Sequence, residues 1–123
     1  MATPYQRKLF RHIRGRIELI SRKARLGKVG DSKTYIPVTG CYAICLSRIP
    51  NTPYYYYTII DQKRGIIYSR KGPIQTLHNA VSTAVVSCYC LRYPDMAIPI
   101  MFFGIKTGRV QTGMEVCHVQ DAV

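Results

Sequence analysis

Between Thr3 and Gly27 the apolar residues Leu9, Phe10, Ile13, Ile17, Ile20 and Ala24 recur at three- and four-residue spacings. That period gathers side chains on one stripe of an α-helix. Such a stripe must be covered, either by the rest of the chain or by a second copy. The segment also carries its own punctuation: Thr3, Pro4 and Gln6 suit a capping-box start, with a side-chain oxygen for the first free amides, and Gly27 supplies the stop. A helix over residues 3–26 is the firmest expectation.

The period then changes. Tyr35 to Val38, Cys41 to Ile49, Tyr54 to Asp61 and Ile66 to Arg70 are short β-branched or aromatic runs separated by Gly, Pro and Asn, the pattern of antiparallel strands. The polar segment from Asp61 to Gly65 suits a hairpin loop whose last residue takes a positive φ. Beyond Gly72 and Pro73, the spacing of Ile74, Leu77, Val81, Ala84, Cys88 and Leu91 predicts a second helix ending before Pro94, although Val85 to Cys90 also has strand character. Met96 to Ile105 reads as a strand that Pro99 confines to an edge or bulge, and 107–123 as an irregular tail. At 123 residues there is no room for two domains. The expectation is one α+β domain over 1–106, a small antiparallel sheet of about four strands packed against two helices in the order α-β-β-β-α-β.

Charge narrows function further. Lys and Arg number 18 against 6 Asp and Glu, a formal charge of +12, and nine of the 18 fall between Arg7 and Lys28. At about 100° per residue, Arg7, Lys8, Arg11, Arg14, Arg22 and Arg25 cluster opposite the apolar stripe with only Glu18 among them. Guanidinium forks match phosphate oxygens in paired hydrogen bonds, so nucleic-acid phosphate is the expected partner. A merely solvated face and an anionic membrane surface are the competing uses of the same pattern. Lys63 and Arg64 at the hairpin tip and Arg70 and Lys71 before the second helix form a second basic group, the latter pair near helix amides that favour an anion. The run Tyr54 to Tyr57 sends alternate rings to opposite faces of a strand; Tyr55 and Tyr57 are assigned to the binding surface, where outward rings would stack on unpaired bases.

Other chemistry finds little support. Cys41, Cys45, Cys88, Cys90 and Cys117 with His12, His78 and His118 show no CxxC pair or other zinc spacing, and no nucleotide-loop, HExxH or GxSxG motif is present. Neither an enzyme nor a cofactor is expected. No apolar run approaches the ~18–20 residues needed to span a bilayer. Charges within Met1 to Phe10 speak against a secretory signal, so an intracellular protein of the cytoplasm or nucleus with reduced thiols is expected.

From Thr3 to Leu91 the predicted order of elements is similar to that of a double-stranded RNA-binding domain. Such domains open their second helix with a lysine cluster, where this chain has Ile74, Gln75, Thr76, Leu77 and His78. The expectation is a non-catalytic protein that binds RNA, or less readily single-stranded DNA, through phosphate contacts. Its size and charge fit a virus-encoded accessory protein or a ribonucleoprotein component. The alternative is a non-enzymatic structural or interaction protein that oligomerises, as a homodimer for instance, through its N-terminal helix and sheet.

Overall fold

The structure, a computed structural model, describes residues 3–26, 34–74 and 76–106. Helix α1 spans Pro4–Leu26. Its start is a capping box: Thr3 Oγ1 accepts from the Gln6 amide at 3.1 Å while Gln6 Oε1 accepts from the Thr3 amide at 3.0 Å, so two otherwise orphaned donors are satisfied reciprocally.

Strands β1 (Thr34–Pro37), β2 (Tyr42–Arg48), β3 (Tyr55–Asp61) and β4 (Ile66–Ile74) form one antiparallel sheet in sequence order. The register sets Ile44 between Ile36 and Ile59 and Leu46 beside Tyr57. These residues therefore share a face, and all five are buried. The β3–β4 connection is an Asp61-organised turn. Asp61 Oδ1 accepts from the amides of Lys63 and Arg64 at 3.0 and 3.1 Å, and Gly65, at φ 67°, returns its amide to the Asp61 carbonyl. The positive φ expected at Gly65 is present, in the region where a Cβ is disfavoured. Strand β4 continues past Arg70, and its ladder with β3 shifts between the Tyr57–Arg70 and Tyr55–Ile74 pairs. Pro73, which has no amide to donate, falls in that irregular stretch.

Helix α2, Leu77–Arg92, is capped by Thr76 Oγ1 on the Asn79 amide at 3.0 Å. Ile74, expected at the head of this helix, instead closes β4, and the segment around Val85 to Cys90 is helical rather than extended. All ten residues from Ala80 to Tyr89 are buried, so α2 is enclosed around its whole circumference and not along one stripe. Strands β2, β3 and β4, helix α1 and a third helix, α3 (Ala97–Lys106), surround it. Two of its buried hydroxyls turn back onto their own helix, Ser82 donating to the His78 carbonyl and Ser87 to the Thr83 carbonyl, both at 2.8 Å, whereas the buried Thr83 Oγ1 has no hydrogen-bond partner among the described residues. Helix α1 runs antiparallel to α2, as Ser21 meets His78 (3.4 Å) and His12 meets Tyr89 (3.0 Å).

After α2 the expected strand from Met96 to Ile105 is absent. A 3₁₀ turn at Pro94–Met96 leads into α3, Ala97–Lys106. Pro99 is accommodated because it lies in the first turn, where amides have no acceptor within the helix. The chain is thus α+β as expected, but all four strands precede α2 and a third helix replaces the final strand. Its order departs in the same way from the three strands of a double-stranded RNA-binding domain. The expected stop at Gly27 and the tail at 107–123 lie outside the described residues. Among the described residues, no helix is long and apolar enough to cross a membrane.

Leu9, Ile13, Ile17, Ile20 and Ala24 are buried within this one chain, so the stripe that could have paired two copies is already covered. Ile17 is fully enclosed. Ile17→Ala is expected to lower the unfolding free energy by about 2–5 kcal/mol, read from the urea midpoint; an unchanged midpoint would show that the stripe carries no packing.

Candidate nucleic-acid interface

Packing of the stripe fixes what α1 shows to solvent. Arg7, Lys8, Arg11, Arg14, Arg22, Lys23 and Arg25 are all exposed, and Glu18 is the one carboxylate on the helix. Arg14 is steadied without losing its outward position: its guanidinium lies 5.6 Å from the centroid of the Phe103 ring, which stacks on Phe10 at 4.9 Å with 9° between planes. A shallow groove of about 240 Å³ runs between these rings and Arg7 and Arg11. The cation strip expected on α1 is therefore a ridge, with its Arg14 edge leaning on α3.

Arg16 departs from the ridge. It is half-buried on the flank of α1 that faces the β1–β2 connection, where its Nη2 donates to the carbonyls of Pro37 (3.3 Å) and Val38 (3.0 Å). Arg16, His12, Tyr89, Arg92 and Tyr93 line an open cleft of about 520 Å³, closed on its far side by residues 37–40. Tyr89 Oη lies 3.0 Å from His12 Nε2, and the two rings meet edge to face. Tyr93 lies parallel to Tyr89 at 6.3 Å, and the Arg92 guanidinium sits 5.0 Å from the Tyr93 centroid. Burial pushes the Tyr89 phenol above its usual range, opposed by the charge and hydrogen bond of Arg16, so the group is a neutral hydroxyl at physiological pH.

The second basic group spans the β3–β4 turn and the strand that follows it. Lys63 and Arg64 are exposed at the turn, but Arg64 Nε pairs with Asp61 Oδ2 at 3.2 Å, so part of its charge is already answered. This turn borders a smaller cleft of about 180 Å³ that it shares with Arg92. Arg92 thereby links the hairpin to the Arg16 cleft. Arg70 pairs with Tyr57 on the β3–β4 ladder, four residues from Ile66 at the turn, which is about 13 Å along a strand. Lys71 follows it in β4, not at the opening of α2, where Thr76 already serves as cap. The side chains of Arg70 and Lys71 lie outside the described residues.

The tyrosine assignment is corrected. Tyr57 is 0% exposed, with its hydroxyl 3.5 Å from Ser87 Oγ of α2, so it offers no ring to a ligand. Tyr55 is partly buried and packs against the same core. Alternation puts both on the face of β3 that carries Ile59, and Tyr54 and Tyr56 are themselves only half-exposed. The residues that sequence reasoning passed over are Arg92 and Tyr93. Their adjacency, immediately before Pro94 at a helix end, was the available signal. For Arg16 the signal was its helical angle, beside Leu9 rather than opposite it.

Burial holds the α2 thiols protonated: Cys88 is raised strongly, chiefly by burial, and Cys90 is pushed up to about 12 by the same cause. Among the described residues no three His, Cys, Asp or Glu side chains gather as a metal site would need. Comparison with protein-family models, curated proteins and solved structures returns no match.

Because the thiolate is the reacting form, Cys88 and Cys90 should resist iodoacetamide in the native protein at mildly alkaline pH and react after denaturation. Peptide mass spectrometry reads this directly, and prompt native labelling of both would overturn it.

Proposed function

We propose that this protein binds nucleic acid, RNA in the first instance, through phosphate contacts on the exposed ridge of α1, without covalent chemistry. One observation carries the reading: burial of the Leu9 to Ala24 stripe against α2 leaves seven cationic side chains of one helix exposed beside a single carboxylate. Like charges at such spacing repel one another, so the arrangement lowers helix stability unless an anion of comparable charge density meets it. Arg makes up five of the seven, and its planar fork favours phosphate over a diffuse counterion atmosphere. A net charge of +12 adds long-range attraction for a polyanion.

An anionic lipid surface is the second reading. It is favoured by Ile98 and Phe102, 66% and 67% exposed on α3, the helix on which Arg14 leans. Apolar side chains beside a cationic row suit an interfacial contact.

Arg11 and Arg22 both lie exposed on the ridge. The double substitution Arg11→Gln with Arg22→Gln should weaken RNA binding whatever the sequence. It should also flatten the slope of log affinity against log salt by about 1.4 on single strands and about 1.8 on duplex. Unchanged affinity and slope would remove the ridge from the interface, and sedimentation with anionic vesicles in preference to RNA would move the reading to the lipid surface.

A further inference from the structure

The Arg16 cleft is separate from the ridge in shape and in chemistry. The ridge is an exposed helix face, whereas the cleft is concave, and its volume of about 520 Å³ falls within the range of small-molecule sites. Among the described residues lining it there is no Asp or Glu, although it holds two guanidinium groups and an imidazole. Arg16 is the more telling of the two. It is half-buried, and its contacts are the neutral carbonyls of Pro37 and Val38 and the hydroxyl of Tyr89. A cation withdrawn from water and held by neutral acceptors favours an anion that reaches its remaining donors. Arg92 belongs to the last turn of α2, whose carbonyl end by itself repels anions, and its guanidinium, set against Tyr93, places positive charge over that end. The parallel rings of Tyr89 and Tyr93 and the crossed ring of His12 add an aromatic wall. Anion and planar ring together are the chemistry of a nucleotide.

We propose that the cleft holds one unpaired nucleotide of a bound strand, with its phosphate on Arg16 and Arg92 and its base against the Tyr93 and His12 rings. This rests on the nucleic-acid reading and adds a selection that the ridge cannot make. A base inside a duplex is stacked on both faces and cannot enter a concave site, whereas an unpaired base can. The ridge binds strands of either kind, and the cleft selects those with a free nucleotide. Its contacts are to phosphate and to ring faces, which every base possesses, so the selection is for unpaired strand and not for sequence.

The test compares wild type, Arg92→Gln and Tyr93→Leu against three probes: uridine 5′-monophosphate, a short oligouridylate and a blunt RNA duplex. Uridine monophosphate should shift the His12 and Tyr93 NMR signals in wild type and leave the His12 signals unmoved in Arg92→Gln. Both variants should bind the oligouridylate about tenfold more weakly, with duplex affinity held within about twofold. Equal losses on both strand forms would make Arg92 one more general cation, and no loss on either would empty the cleft of function; each overturns the proposal while the ridge reading stands. Wild type that binds uridine monophosphate but neither RNA would overturn the nucleic-acid reading, and the bound strand with it. Arg92 is exposed, so Arg92→Gln decides the matter if Tyr93→Leu does not fold.

Discussion

Enclosure of α2 governs this structure. From Leu77 to Leu91 the helix carries no Asp, Glu, Lys or Arg, and ten consecutive residues lie out of water. Ten residues span nearly three turns, so every azimuth of the helix needs cover. One sheet face can cover only part of that circumference. The remainder falls to α1 and α3, and α1 can serve only by turning Leu9, Ile13, Ile17, Ile20 and Ala24 inward. The outward position of its arginines follows from that packing. Charge placement and core formation are therefore one event: a substitution that loosens the stripe also disperses the ridge.

The extent to which this was legible varies with how local the physics is. Helix α1 declares itself because its cap, its period and its charge face all lie within one continuous segment. The hairpin is legible for the same reason, since Asp61 and Gly65 close the turn between them. Helix α3 is not, because Pro99 is compatible both with an edge strand and with the first turn of a helix, and the choice depends on whether the preceding chain has already turned at Pro94–Met96. The inward tyrosines are similarly ambiguous. Tyr55 and Tyr57 share their face with Ile59 but also with Asp61, whereas Tyr56 shares its own with Ile60 and Thr58. Read as polarity, Asp61 argues that its face is exposed. It is buried instead, because the turn amides and Arg64 satisfy its carboxylate, and that compensation cannot be read from alternation.

The cleft was hidden for a different reason. Arg16, Val38 and Arg92 are far apart in the chain and meet only because α1 runs antiparallel to α2 with the β1–β2 connection against its flank. Spacing motifs report ligands gathered by one element or one loop, and here three elements contribute. What the sequence does expose is an inconsistency: Arg16 is the one arginine of α1 whose helical angle belongs beside the core. A guanidinium at that angle has to find acceptors or lose stability. The carbonyls of Pro37 and Val38 are those acceptors, and supplying them ties α1 to the end of β1.

Arg92 then becomes the hinge of the electrostatic surface. It borders both the Arg16 cleft and the smaller cleft at the Lys63–Arg64 turn, so positive charge continues around the end of α2 from one to the other. Along that arc the carboxylate at hand is Asp61, and it is held by the turn amides of Lys63 and Arg64 and by the Arg64 guanidinium. A polyanion lying on the ridge of α1 neutralises exposed charge that any strand can reach. One that also bends over the α2 end gains the concave charge of the arc, and bending of that kind is available to a flexible single strand and not to a stiff duplex. On the proposed nucleic-acid reading, preference for unpaired strand would draw on curvature as well as on stacking, and both originate in the same short stretch where α2 ends.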